Sequence, residues 1–176
     1  MNHLRTMIFF DQVQSGHGGK DKVDVPLDVT KGGIGSAPTF TEYMKEENLK
    51  LIATMFSGSQ YYFDNEEKSK KQITDLIKKL KVKLVICGPT YDYHNYAKMA
   101  LNLADYINKN TDCVAVVCCA EKNNEELIEK YKKDNIIVKM PKKGGVGLNK
   151  SLKNMVRIGR NAVEGTINEE MKQYIY

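Results

Sequence analysis

The chain has 176 residues and a formal net charge of +5, which suits one globular domain with a substantial core. Its composition is that of an ordinary soluble protein, and its longest apolar run, residues 114–120, is far shorter than the roughly 18 residues of a membrane-spanning helix. The first five residues lead directly into an apolar run, so we expect no signal peptide and a cytoplasmic protein.

Strand-like and helix-like hydrophobic periods alternate along the chain. Short apolar runs predict five strands, at residues 7–10, 51–56, 82–87, 114–120 and 136–138. Apolar residues at helical spacing predict five helices, at residues 39–47, 65–81, 96–107, 127–131 and 148–163. The first of these helices carries Pro38 at its start, and Thr39 and Glu42 have the spacing of a capping box.

This alternation predicts an α/β fold with three layers, in which helices cover both faces of a mostly parallel, doubly wound sheet of about five strands. We expect one domain over residues 1–165, because the sequence contains no linker, repeat or low-complexity stretch. Residues 166–176 are predicted to form a C-terminal helical extension that docks on the body or on a partner chain.

Polar and glycine-rich motifs follow the predicted strands. In open α/β sheets, ligands bind at the carboxyl edge of the strands. We therefore predict a binding pocket for a small ligand there, lined by Asp11, Gln12, Gly33, Gly35, Ser57, Ser59, Gly88, Thr90 and Tyr91. A small zwitterion would place its carboxylate on the amides of residues 33–35 and its amine near Asp11. The alternative is that Thr90 only caps the following helix and that Asp11 is a solvated loop residue.

The glycines themselves have two explanations. Turns that need a positive φ explain them without any function. Alternatively, exposed N–H groups at helix N-termini bind an anion. Two loops fit the second explanation, residues 32–36 and residues 142–145, and in the latter we predict an anion site formed by Lys143, Gly144 and Gly145.

Motifs for cofactor binding and hydrolysis are missing from the sequence. No G-x-G-x-x-G follows the first strand, and neither a P-loop, an H-E-x-x-H nor a G-x-S-x-G pattern occurs. The three histidines show no metal-ligand spacing, so we predict neither a metal nor a cofactor. His17 is interpreted as a surface or loop-packing residue and His94 as a solvated or capping residue at a helix start. No catalytic residue can be assigned.

The cysteines and the basic residues each have a plain interpretation. Cys87, Cys113, Cys118 and Cys119 lie in or beside apolar runs, which predicts buried, reduced thiols. A reactive Cys118 or Cys119 at a strand end is the alternative. Most lysines lie on predicted helix surfaces, as solvated residues do.

Nucleic-acid binding is a more specific explanation of the positive net charge. It would use four residues of the last helix: Lys150, Lys153, Arg157 and Arg160. We do not expect it, because no RNA- or DNA-binding motif accompanies these residues.

Several segments together resemble a known family. They are residues 10–12 (FDQ), 18–26 (GGKDKVDVP), 33–35 (GIG), 52–58 (IATMFSG), 86–91 (ICGPTY) and 145–148 (GVGL). In this order and at this spacing they resemble the N-terminal region of component B of glycine/sarcosine/betaine reductase, a selenoprotein. The resemblance implies a substrate-specific component of a complex, in which a selenocysteine of the C-terminal half captures a carboxymethyl group. The present sequence contains no residue equivalent to that selenocysteine.

The resemblance therefore implies a subunit or shortened relative of component B. Such a chain would bind a small amino-acid-like or amine ligand without being catalytic alone, and whether it is itself an oxidoreductase stays open. It would assemble with other reductase subunits as a homo- or hetero-oligomer. The alternative is a non-catalytic ligand-binding or regulatory module on the same fold, since fold does not determine function.

Overall fold

A six-stranded sheet forms the body of the protein in a computed structural model that describes residues 3–176. The strands are β1 (Leu4–Phe10), β2 (Asp28–Lys31), β3 (Leu49–Phe56), β4 (Leu84–Cys87), β5 (Val114–Cys119) and β6 (Ile136–Lys139). The helices are α1 (Thr41–Glu46), α2 (Ser59–Asp64), α3 (Glu66–Lys79), α4 (His94–Asn110), α5 (Glu125–Tyr131), α6 (Leu148–Glu164) and α7 (Glu169–Lys172).

The strand order is β2-β3-β1-β4-β5-β6. Every neighbouring pair is parallel except β2 with β3, which is antiparallel. α4 and α6 both pack on β5; α6 also packs with α1, whereas α4 packs with α2, α3 and α5. The predicted three-layer, mostly parallel α/β fold is therefore confirmed.

Burial is deepest in the middle of the sheet. All four residues of β4 and the last five of β1 and of β5 are buried, as expected for strands with helices on both faces. The hydroxyl of Tyr96 on α4 donates a 2.6 Å hydrogen bond to the carbonyl of Phe9. This bond attaches α4 to the end of β1 and satisfies a polar atom that has lost contact with water.

The structure contains one strand more than the five that the apolar runs predict. β2 lies between the predicted strand at residues 7–10 and the predicted helix at residues 39–47, where no strand was predicted, and none of its four residues is fully buried. A short, exposed strand has no apolar face and so no hydrophobic period by which to recognise it. It pairs with β3 from Asp28 opposite Phe56 to Lys31 opposite Ala53.

The start of the first helix also differs from the prediction. A 3₁₀ turn at Ala37–Thr39, with Pro38 in its first positions, precedes α1, which begins only at Thr41 and has no side-chain cap. The hydroxyl of Thr39 instead donates to the carbonyl of Ser36 at 2.7 Å. The predicted capping box is therefore wrong, because the proline initiates a separate turn that uses Thr39 locally.

Residues after α6 continue on the body of the protein. The side chain of Asn168 accepts a 3.0 Å hydrogen bond from the amide of Met171 and caps α7. Beyond α7, the amide of Lys139 donates to the carbonyl of Tyr174 at 2.8 Å, and that of Tyr176 donates to Ile137 at 3.0 Å. The C-terminal residues thus pair with the outer edge of β6. Over residues 3–176, none of the helices has the length and apolar character needed to cross a bilayer.

All four cysteines are buried and unbridged, which confirms the predicted burial. Cys118 and Cys119 are neighbours on β5, so their side chains point to opposite faces of the sheet. Burial raises the pKa of the Cys119 thiol to about 12 and that of Cys118 well above its ordinary value. A thiol with such a pKa is protonated at neutral pH and is a poor nucleophile.

We expect a thiol reagent such as Ellman's reagent to leave the native protein unlabelled over minutes. After unfolding in guanidinium chloride it should label all four cysteines, because none is bridged. Native and unfolded samples measured side by side provide the control. Rapid labelling of native protein would show that the strand-end thiols are accessible.

Candidate functional site

The carboxyl ends of β1 and β4 lie side by side in the middle of the sheet. After β1, the chain crosses to β3 on one side, and β4 then returns to the other side of β1. In doubly wound sheets this change of direction opens a crevice between the two strand ends, where ligands bind. We call this place the switch point.

A cavity of about 230 Å³ lies at the switch point. Its walls come from the loop after β1, the start of α2 and the start of α4. The lining residues are Asp11, Gln12, Val13, Lys20, Val23, Ser59, Tyr93, His94, Asn95 and Tyr96. We call it the switch-point cavity. It contains three of the predicted pocket residues, which are Asp11, Gln12 and Ser59.

Asp11 is the one residue with a carboxyl side chain among those that line this cavity. Only 5% of its surface is exposed, and its Oδ1 accepts a 2.7 Å hydrogen bond from the amide of Gln14. Burial raises the pKa of Asp11 to about 6, although this and other backbone hydrogen bonds act in the opposite direction. Asp11 is therefore not the solvated loop residue of the alternative interpretation.

The loop after β1 folds back over the cavity. The side-chain amide of Gln12 donates to the carbonyl of Gly19 at 3.3 Å. The ammonium of Lys20 lies 4.8 Å from the centre of the Tyr93 ring, so a positive charge is held at the rim by a cation–π contact. Further along, the carbonyl of Val23 accepts hydrogen bonds from the first amides of α2.

The loop after β4 contacts the end of β5 and the residue that follows it. Thr90 is fully buried, and its hydroxyl donates to the carbonyl of Cys118 at 3.1 Å. Tyr91 has a φ of +53°, and its carbonyl accepts from the amide of Ala120 at 3.0 Å. α4 has no side-chain cap, so the proposed capping role of Thr90 is wrong. Neither residue lines the switch-point cavity.

Gly88 precedes these residues in a place where space is limited. A Cβ on Gly88 would lie 3.0 Å from the carbonyl oxygen of Cys118, and its φ of +148° also disfavours a side chain. Ser57 is fully buried, and its hydroxyl donates to the carbonyl of Gly58 at 3.0 Å. Both residues therefore shape strand ends beside the cavity without lining it.

The predicted amides of residues 33–35 lie on another side of the same loop. A Cβ on Gly35 would approach the carbonyl oxygen of Gln14 to 2.0 Å, and a Cβ on Gly33 would meet Leu51 and Ala37. The amide and hydroxyl of Ser36 donate to the carbonyl and side chain of Gln14 at 2.9 and 2.7 Å. This segment thus supports the loop that carries Asp11 and does not line the cavity.

The predicted anion loop is held by contacts within the chain. The amide of Lys143 donates to a carboxylate oxygen of Asp92 at 2.8 Å, and the amide of Gly145 donates to the carbonyl of Lys142 at 2.9 Å. The ammonium of Lys143 lies 4.6 Å from the centre of the Tyr91 ring. Gly144 has a φ of +74°, so the turn explanation accounts for this glycine.

A larger cleft, of about 660 Å³, opens at the ends of β5 and β6. Lysines and glutamates are mixed on its walls, and Tyr176 closes one side. This mixture selects neither anions nor cations. Among residues 3–176, no group of three or more histidine, cysteine, aspartate or glutamate side chains could hold a metal ion.

The basic residues of α6 are mostly paired with carboxylates. Lys153 contacts Glu46 at 3.0 Å and Arg157 contacts Glu170 at 3.2 Å, while Arg160 pairs with Glu164 one turn along the helix. Lys150 lies over the ring of Tyr174. Pairing of this kind reduces the positive charge that is available to bind the phosphates of a nucleic acid.

The two histidines His17 and His94 make different contacts. The His17 ring stacks on Phe56 at 3.9 Å between centres, which confirms its predicted role in loop packing. The Nδ1 of His94 lies 2.8 Å from the carbonyl oxygen of Asn123, and His94 also lines the cavity. Lys20, Val23 and Asn95 are cavity residues that the sequence did not indicate.

These observations define a doubly wound α/β protein with a small cavity at its switch point, whose lining includes the buried carboxyl group of Asp11. Its sequence matches the family described as glycine/sarcosine/betaine reductase selenoprotein B over residues 3–176. The chain belongs to this family.

Curated relatives have names from the same complexes. The chain is 22% identical over 138 residues, 78% of its length, to the sarcosine reductase complex component B subunit beta of Peptoclostridium acidaminophilum. It is 25% identical over 159 residues, 90% of its length, to the glycine reductase complex component B subunit gamma of Carboxydothermus hydrogenoformans. These matches cover only 31% and 36% of the relatives, so the chain spans about a third of their length. No solved structure matches the chain.

The raised pKa of Asp11 predicts a measurable pH dependence of folding. An aspartate in an unfolded chain has a pKa of about 3.9, whereas Asp11 in the folded protein has one of about 6. Its stabilising contribution is therefore complete below pH 3.9 and is lost as the pH rises through about 6. We expect Asp11→Asn, which keeps the acceptor for Gln14, to raise the free energy of unfolding at pH 7.5 by about 3 kcal/mol.

The measurement is urea unfolding of both proteins between pH 4 and pH 8. The difference between them should shrink to about 0.5 kcal/mol at pH 4, where Asp11 of the folded wild-type protein is protonated. Asp21→Asn removes the same charge from an exposed position of the same loop and serves as the control. If the difference in unfolding free energy between the two proteins does not change with pH, burial does not raise the pKa of Asp11.

Proposed function

We propose that this chain is a ligand-binding relative of reductase component B, which takes up a small amino-acid-like zwitterion or amine in the switch-point cavity. The observation that carries the proposal is the position of Asp11, a buried carboxyl group at the base of a cavity. A buried charge without a partner is costly. A bound ammonium group would supply that partner.

The remaining cavity residues suit the other end of such a ligand. Lys20 at the rim would attract a carboxylate, and the amide of Gln12 and the hydroxyl of Ser59 would add hydrogen bonds. A volume of about 230 Å³ is below the usual range for drug-sized ligands, so the ligand is small. In this proposal Thr90 and Tyr91 act by holding the loop, and residues 33–36 by supporting Asp11.

Assembly with other reductase subunits is the second element of the proposal. The relatives are named as subunits of component B in sarcosine and glycine reductase complexes. We infer a cytoplasmic homo- or hetero-oligomer in which this chain supplies a substrate-binding domain to an oxidoreductase. The family is named for a selenoprotein, and this sequence contains no selenocysteine.

A non-catalytic binding or regulatory module is the alternative function. The burial of all four cysteines favours it, because no thiol is available to replace a selenocysteine as nucleophile. The two functions share the same cavity and differ in what the bound ligand does next.

Calorimetry with a panel of small amino acids and methylated amines tests the ligand. We expect at least one member to bind wild-type protein and to bind Asp11→Asn about tenfold more weakly, since a charge-assisted hydrogen bond is worth about 1.5–3 kcal/mol. Affinity should also fall as the pH drops through about 6, where Asp11 becomes protonated. Asp21→Asn is the matched control. If Asp11→Asn binds as tightly as wild-type protein, or if wild-type protein binds no compound of the panel, the switch-point cavity is not the ligand site.

The isolated chain should not reduce glycine, sarcosine or betaine. Its four cysteines are buried, burial raises the pKa of the Cys118 and Cys119 thiols, and none of the four lines the cavity, so no reactive thiol is available there. The assay supplies purified protein with an electron donor and each compound, and follows acetate or acetyl phosphate. Product formation by this chain alone would refute the non-catalytic role.

A further inference from the structure

A second cavity adjoins the switch-point cavity along α4. It has a volume of about 280 Å³ and is lined by Val23, Ser59, Gln60, Phe63, Asn95 and Lys98. Val23, Ser59 and Asn95 line both cavities. The two cavities are therefore neighbours, and we call the surface that they form together, with Asp11 in one cavity and Lys98 in the other, the groove.

The far end of this groove carries a positive charge. The ammonium of Lys98 lies 4.9 Å from the centre of the Phe63 ring. Asn95 and Lys98 are three residues apart on α4 and so lie on the same face of the helix, and a helical side chain leans over the turn before it. Lys98 forms no salt bridge with the residues that the structure describes, and the nearby Glu66 is paired with Lys70.

The middle of the groove combines polar and apolar groups. Ser59 contributes a hydroxyl and Asn95 a side-chain amide, and over residues 3–176 neither side chain has a hydrogen-bond partner within the protein. Val23 and Phe63 contribute apolar surface. The groove thus has a carboxylate at one end, free hydrogen-bonding groups in the middle and an ammonium at the other end. These groups are complementary to a ligand with an amine at one end, a polar group in the middle and a carboxylate at the other end.

We propose that the groove binds a short peptide with a free amino terminus. Its amine lies at Asp11, its peptide group between Ser59 and Asn95, and its carboxylate at Lys98. A dipeptide extends over about 7 Å, beyond the reach of a single amino acid held at Asp11. The inference rests on the proposed function, because it uses the same amine site at Asp11.

Three ligands of graded design test this proposal by calorimetry on the full chain. Glycine occupies the Asp11 end alone, glycylglycine adds the peptide group and a distant carboxylate, and 5-aminopentanoate has the same length as glycylglycine without the peptide group. We expect glycylglycine to bind about tenfold more tightly than glycine, since it adds a hydrogen bond and an exposed ion pair. 5-Aminopentanoate should fall between them.

Substitutions in the groove test whether its residues cause the higher affinity for glycylglycine. Lys98→Met keeps the apolar stem and should weaken glycylglycine and 5-aminopentanoate by about threefold to fivefold while leaving glycine unchanged. Asn95→Ala should weaken glycylglycine alone. Lys68→Met, at an exposed position of α3, is the matched control and should change nothing.

The outcomes separate this proposal from the function it rests on. If glycine binds through Asp11 but glycylglycine binds no more tightly, or gains affinity independently of Lys98, the peptide site is refuted and the amino-acid site stands. If Asp11→Asn binds every ligand as well as wild-type protein does, both are refuted.

Discussion

The burial of β1 on both faces is the constraint on which the site depends. Four consecutive residues, Met7 to Phe10, have no exposed surface, so the strand passes through the centre of the protein and delivers the next residue there. Asp11 is that residue. Its desolvation follows from the strand before it, and the loop cannot relieve that desolvation without pulling Phe10 out of the core. A carboxyl group with a raised pKa is the direct result.

The loops after β4 and β5 make this geometry rigid. Tyr91 adopts a left-handed backbone conformation, which is uncommon for a bulky residue and costs free energy. Hydrogen bonds to its carbonyl from the β5–α5 loop, and from Thr90 to Cys118, compensate for that cost. The start of α4, which supplies Tyr93, Asn95 and Tyr96 to the cavity, is therefore positioned by residues that do not themselves line the cavity.

The sequence predicted the layers of this fold better than the walls of its cavity. The apolar runs of β4 and β5 report burial directly, so their positions and the parallel sheet follow from the pattern. Asp11, Gln12 and Ser59 were found because they directly follow strands, or open a helix just after one. Lys20 and Val23 were missed because they lie within a long polar loop, and no hydrophobic period records where such a loop folds back. Thr90 was placed in the pocket because a hydroxyl after a strand has the same sequence signature whether it faces a ligand or, as here, a neighbouring carbonyl.

The pairing of the C-terminal residues with β6 has a consequence for the solution behaviour of the protein. A sheet with two open edges offers two templates for further strands, and such edges promote aggregation. Here the backbone of Tyr174 and Tyr176 occupies the hydrogen-bonding groups of Ile137 and Lys139. At the opposite edge, β2 is four residues long, with Asp28 and Lys31 at its ends, and the carboxylate of Asp28 accepts from the amide of Val29. Both edges are thus protected by different means against pairing with the edge of another sheet.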